Sequence, residues 1–109
     1  MRIAIVLGAA LVATVFYAPA FASDEIPLKL KDHKFTPSEI HVKANMPNVI
    51  VMSNEDATAE EFDSTSLKVE KVVAGNSSGN VRLRPLSPGR YPFMGEFHSD
   101  TAQGVVIAE

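Results

Sequence analysis

The sequence predicts an all-β domain of about seven short strands, either a two-sheet sandwich or a small barrel. Three observations predict it. Apolar residues alternate with polar ones in short runs, turn-forming residues separate those runs at close spacing, and no segment past the first two dozen residues keeps apolar residues at helical period over three turns.

Each element can be read in order. Ile26, Leu28 and Leu30 alternate with Pro27, Lys29 and Lys31, the pattern of a half-buried strand. Asp32-His33-Lys34 begins a loop that ends at Pro37. Ile40 and Val42 alternate with Glu39, His41 and Lys43, which turns His41 outward. Asn45-Met46-Pro47-Asn48 is a turn, and Val49 to Met52 is a continuous apolar run suited to a strand buried on both faces. Ser53 to Ser66 is polar and acidic, with no clear period. Leu67, Val69 and Val72-Val73 suggest the next strand. Ala74 to Asn80 holds two Gly, two Ser and two Asn and reads as a turn. Val81 and Leu83 alternate with Arg82 and Arg84. Pro85 to Gly89 is another turn, Tyr91 and Phe93 open a strand, and Val105 to Ala108 closes the chain.

Composition narrows the chemistry. The 109 residues contain no Cys and no Trp, with 10 Lys and Arg against 13 Asp and Glu. One small domain fits this length, and no basic stripe exists for a nucleic-acid partner. Without cysteine there is no disulfide, thiol catalysis, iron–sulfur cluster or thiolate zinc site. No serine lies in a G-x-S-x-G elbow and no glycine loop cradles phosphate.

The first residues read as a leader rather than as part of the domain. Arg2 gives a positive start, Ile3 to Phe16 is apolar and uncharged, and Ala20-Phe21-Ala22 is a small-x-small cleavage site just before Asp24 and Glu25. The expected boundaries are a secretory signal peptide over 1–22 and one domain over 23–109. The apolar run falls short of the roughly 18–20 residues of a membrane span, so the mature chain is expected to have none. Cleavage leaves 9 basic and 13 acidic residues, a formal charge of −4, in a periplasmic protein held together by its core or by a core and a metal.

Several segments resemble the cupredoxin superfamily. Phe35-Thr36-Pro37-Ser38-Glu39-Ile40-His41-Val42 is similar to its F-x-P-x-x-I-x-V opening. Val49 to Asp56 is similar to its strand ending in Asn and an acid, and Leu86-Ser87-Pro88-Gly89-Arg90-Tyr91-Pro92-Phe93 is similar to its P-G-x-Y-x-F turn and strand. His98 and Gly104 to Ile107 complete the pattern. Glu60-Glu61-Phe62-Asp63-Ser64 and Tyr91 to His98 more closely resemble small periplasmic cupredoxin-like proteins of bacterial ferrous-iron uptake. The resemblance implies a Greek-key β-sandwich, a tyrosine-corner role for Tyr91, and a metal site at one end.

That site would depart from a blue-copper centre. The Cys position of the pattern falls on Gly95, the second His on His98, the axial ligand near Gln103, and the first His within Ala59-Glu60-Glu61-Phe62. Without a thiolate, a blue-copper site is chemically excluded. Glu55, Asp56, Glu60, Glu61 and Asp63 are five acids in nine residues, and Glu96, His98 and Asp100 alternate on the segment the resemblance places opposite. The candidate metal ligands are His98, Glu61, Glu60, Glu96, Asp63, Asp100, Met94 and His33. Strand alternation allows only one of Glu60 and Glu61 to face the site. Met94 suits either a soft ligand or packing near the site.

Such donors suit a copper or iron ion, and anionic oxygens favour Fe(III) over Fe(II). The implied role is assistance in oxidising ferrous iron for ferric-iron import. Its implied partners are a periplasmic iron-binding protein and an inner-membrane ferric permease. A copper or iron carrier without catalysis, or a metal-free interaction module, are the alternatives.

Overall fold

The computed structural model describes residues 25–109, with positions 3–4, 8–10 and 13 before them. Apart from those positions, the expected leader over 1–22 and its boundary with the domain lie outside the described residues. No described helix is long and apolar enough to cross a membrane.

Among the described residues, nine strands form two mixed sheets. They are β1 (Glu25–Lys31), β2 (Lys34–Thr36), β3 (Glu39–Val42), β4 (Asn48–Asn54), β5 (Glu60–Ser64), β6 (Val69–Val73), β7 (Ser77–Leu83), β8 (Gly89–Gly95) and β9 (Gln103–Ala108). One sheet runs β2-β1-β4-β7 and the other β3-β9-β8-β5-β6. The pairs β1–β4 and β3–β9 are parallel, and the others are antiparallel. The helical content among the described residues is a single 3-10 turn, Glu96–His98, where strand-like alternation of Glu96, His98 and Asp100 was expected.

Alternation along the strands builds the core. Leu28 and Leu30, Ile40 and Val42, Val81 and Leu83, and Val106 and Ala108 point inward with Phe93, and their polar neighbours face out. β4 lies between β1 and β7, and Asn48, Val49, Ile50 and Met52 on it are buried. Phe35, Phe62 and Phe93 pack together, Phe62 and Phe93 stacked with centroids 4.7 Å apart and Phe35 edge-on to both. Burial of each such side chain contributes about 1.5–3 kcal/mol, and with no disulfide the core supplies the stability.

Two stretches expected as loop or turn are strand. Glu60–Ser64 is a strand whose inward residues are Glu60, Phe62 and Ser64; two of these three are polar, which hides the alternation in the sequence. Ser77–Asn80 extends β7 along β4, with its polar residues largely facing solvent. Short β2 also forms within the expected loop before Pro37.

The connections that carry the site are tightly held. Buried Asn54 donates through Nδ2 to the carbonyls of Thr58, Val73 and Ala74, at 2.9, 3.2 and 3.3 Å, and its Oδ1 accepts from the Asp56 amide at 3.0 Å. This Asx turn pins the segment between β4 and β5. On the far side, the Ala102 amide donates to the His98 carbonyl and the Gly95 amide to the Ala102 carbonyl, closing the turn after β8. Tyr91 donates from Oη to the Ser87 carbonyl at 2.7 Å, tying strand to turn in the manner of a tyrosine corner.

Candidate metal centre

β5 divides the acids predicted as ligands into two groups. Glu60 faces the core and Glu61 the outside, as the pleat requires.

The inner group surrounds Glu60, which is fully buried. A buried carboxylate is costly unless each oxygen is bonded, and here both are. Oε1 accepts from the Phe97 amide at 2.8 Å and from the Glu61 amide at 3.1 Å, and Oε2 lies 2.6 Å from His98 Nδ1. Bonding at Nδ1 leaves Nε2 as the remaining ring nitrogen of His98. The His33 ring stacks on that of His98, with centroids 3.5 Å apart and planes 11° from parallel. Asp32 and His33 turn through positive φ of 50° and 57°, and the Asp56 carboxylate holds them there, accepting from their amides at 2.8 and 3.0 Å. The His33 amide is the main cause holding the Asp56 carboxyl below its usual range; burial, next in size, opposes it, and the Asp32 amide and the charges of His33 and His98 add to the lowering.

The outer group is a carboxylate cluster. Asp63 on β5 pairs directly with Glu70 on β6, and Glu61 lies two residues along the same face. Carboxylate oxygens of Glu61, Asp63 and Glu70 lie within 4.8 Å of one another, a group that can hold a metal ion. Glu61 also shares a hydrogen bond with Glu96, which requires one of the two carboxyls to keep its proton. That bond first, then burial and the charges of Glu96, Glu70 and Asp63, push the Glu61 carboxyl up to about 7.

The predicted ligands therefore separate. Glu60, His98 and His33 meet inside, while Glu61, Asp63 and Glu96 meet outside. Met94 is 41% exposed on the outer face, across from Asp63 and away from the core. Asp100 is exposed and lines a groove with Asp63 and Met94. Gln103, placed near the axial position, donates to the Ser99 carbonyl at 2.8 Å. His41 is exposed on β3, with Nδ1 2.8 Å from Glu109. Glu70 was missed in the sequence; the signal that would have found it is a β5–β6 hairpin register pairing it with Asp63.

At Gly95 the structure is closely filled. A Cβ built there would lie 2.6 Å from Cδ and 2.9 Å from Oε1 of Glu60, and 2.8 Å from Cβ of Ala102. The Glu60 carboxyl thus occupies the space a side chain at 95 would enter.

Comparison with known proteins agrees with this architecture. The sequence profile of the cupredoxin-like domain matches residues 3–108. An uncharacterized protein of Rickettsia prowazekii (strain Madrid E) is 43% identical over 83 residues, covering 76% of this chain; the match spans 66% of that relative, just under two thirds of its length. Among solved structures, the metal-binding domain of the Cu(I)-exporting P-type ATPase of Streptococcus pneumoniae D39, solved with Cu(I), superposes with a TM-score of 0.66 at 14% identity, covering 78% of this chain and 84% of that one. Auracyanin A, a "blue" copper protein of Chloroflexus aurantiacus, gives 0.65 at 14% identity, with 78% and 98% covered. Amicyanin of Paracoccus versutus gives 0.61 at 13%, with 78% and 81% covered. At these identities the structural likeness speaks for the fold alone.

Proposed function

The chain belongs to the cupredoxin-like domain family, and from that premise we propose that it is a periplasmic metal-binding protein that assists the oxidation of ferrous iron for ferric-iron import. Iron is the cargo in this reading. The observation that carries it is the convergence of the Glu61, Asp63 and Glu70 oxygens on one point of the outer face, with Glu96 bonded to Glu61. Like charges this close repel, and a cation relieves that repulsion. Hard anionic oxygens hold Fe(III) more tightly than Fe(II), which lowers the potential of bound iron and favours its oxidation. Each ferrous ion oxidised gives up one electron, taken by dioxygen or by a membrane redox carrier. The product passes to a periplasmic iron-binding protein and an inner-membrane ferric permease.

A thiolate copper centre of the kind expected from "blue" relatives does not fit these residues. The chain has no cysteine, and the space beside Gly95 holds the Glu60 carboxyl. The self-contained bonding of Glu60 favours, as a second reading, a metal-free interaction module.

Anaerobic calorimetric titration of the mature chain with Fe(II), followed by the rate of Fe(II) loss in air, tests the proposal. Binding and accelerated loss, both abolished by Asp63→Asn with Glu70→Gln, are expected. Binding without accelerated loss identifies a carrier, and failure to bind either iron state overturns the metal-binding reading.

A further inference from the structure

We propose that Glu60 stands in the place of a metal-bound thiolate and closes that end of the sandwich as a metal-free lock, with Gly95 and Glu60 an exclusive pair. The space decides it first. Position 95 is the last residue of β8, and its missing Cβ would fall within 2.9 Å of two Glu60 side-chain atoms. A cysteine at 95 and the Glu60 carboxyl cannot share that volume.

The bonding decides it second. The geometry of the Glu60 carboxyl is fixed by partners within the chain. Glu60 is fully buried, with two backbone amides on Oε1 and the His98 ring on Oε2, so no bare charge there calls for a cation. The bond at His98 Nδ1 also removes one of the two nitrogens with which that ring can hold a metal.

The imidazoles decide it third. The His33 and His98 rings are stacked and nearly parallel. Nitrogen lone pairs lie in the ring plane, so those of two stacked rings run side by side instead of converging on one ion. The Asp56 carboxylate is engaged with the Asp32 and His33 amides. What the lock does is mechanical. Through the Phe97 amide and the His98 ring, Glu60 seats the Glu96–His98 turn against β5, and is a positioning residue for it.

Ring-nitrogen spectra of the ¹⁵N-labelled chain, recorded with Zn(II) alone and with Cu(I) alone, test the lock. The His33 and His98 nitrogens are expected to keep their metal-free positions, with the His98 Nδ1 proton retained. The large displacement that direct ligation imposes on an imidazole nitrogen, abolished by His98→Ala, overturns the proposal. Cu(I) affinity of two variants gives the converse. Glu60→Ala empties the space and frees Nδ1, and should bind Cu(I) more tightly than the wild type. Glu60→Gln keeps the shape and should gain nothing; an equal gain in Glu60→Gln overturns the claim that occupancy is what matters. The wild-type spectra decide the question even where Glu60→Ala does not fold.

Discussion

Asp63 and Glu70 stand directly opposite each other on the outer face of the β5–β6 pair, two like charges in register. Such a pair weakens a sheet, and Glu61 beside it adds a third carboxylate. The metal-free fold thus retains an arrangement that works against its own stability. Asp63→Asn or Glu70→Gln should therefore raise the melting temperature in chelator-treated buffer and lower it, relative to wild type, when a saturating cation is present. Scanning calorimetry with and without Mn(II) measures both; a loss of stability in the chelated state would show that the acids are not in mutual repulsion.

Glu61 gives the outer face a pH dependence. Its carboxyl titrates near 7 in the folded chain, against an ordinary value of 4.5. Between those values the folded state binds more protons than the unfolded one, so stability falls as pH rises through that window. Glu61→Gln should flatten the melting temperature between pH 4.5 and 7. Cation binding at neutral pH should release protons, seen as a calorimetric heat that changes with the ionisation enthalpy of the buffer.

Asp56 acts in the opposite sense. Its carboxyl lies below the ordinary value of 3.8, so the stability it adds is present above that value and is lost as pH falls through the lower folded one. Asp56→Ala frees the amides of Asp32 and His33, which sit at positive φ. Their hydrogen exchange should accelerate well before the amides of β4 are affected; unchanged exchange at His33 would mean that the turn holds itself.

The aromatic cluster sets a packing prediction. Gly104 faces Phe93 across the β8–β9 ladder, and an added Cβ would enter the space of that ring. Gly104→Ala should cost about 1–3 kcal/mol by overpacking. Phe62→Ala, which empties the centre of the cluster, should cost about 3–5 kcal/mol. Urea unfolding of the two variants gives both numbers.

What could be read from the sequence follows from how burial is written in it. β1, β3, β8 and β9 show because their inward residues are apolar at every second position. β5 stays hidden because Glu60 and Ser64 are inward and polar, bonded to Phe97, His98 and the Pro92 carbonyl, all far along the chain. The acids and histidines were visible as residue types, but their division between two faces depends on the register of that hidden strand. Glu70 was overlooked for the same reason: its chemistry appears once a hairpin sets it against Asp63. The closure of Gly95 by Glu60 is a matter of packed volume, which no local pattern records.

The placement of β9 bears on how the chain can be made. The last strand is inserted between β3 and β8, with Ile40 beside Val106 and Tyr91 beside Val106 on the other side. Among the described residues β3 has no other neighbour in its sheet. A polypeptide emerging from its amino end first therefore carries an unpaired β3 until residues 103–108 have also emerged. Pairing between segments so far apart in sequence is non-local, and its loop-closure cost makes this side of the sheet slow to close.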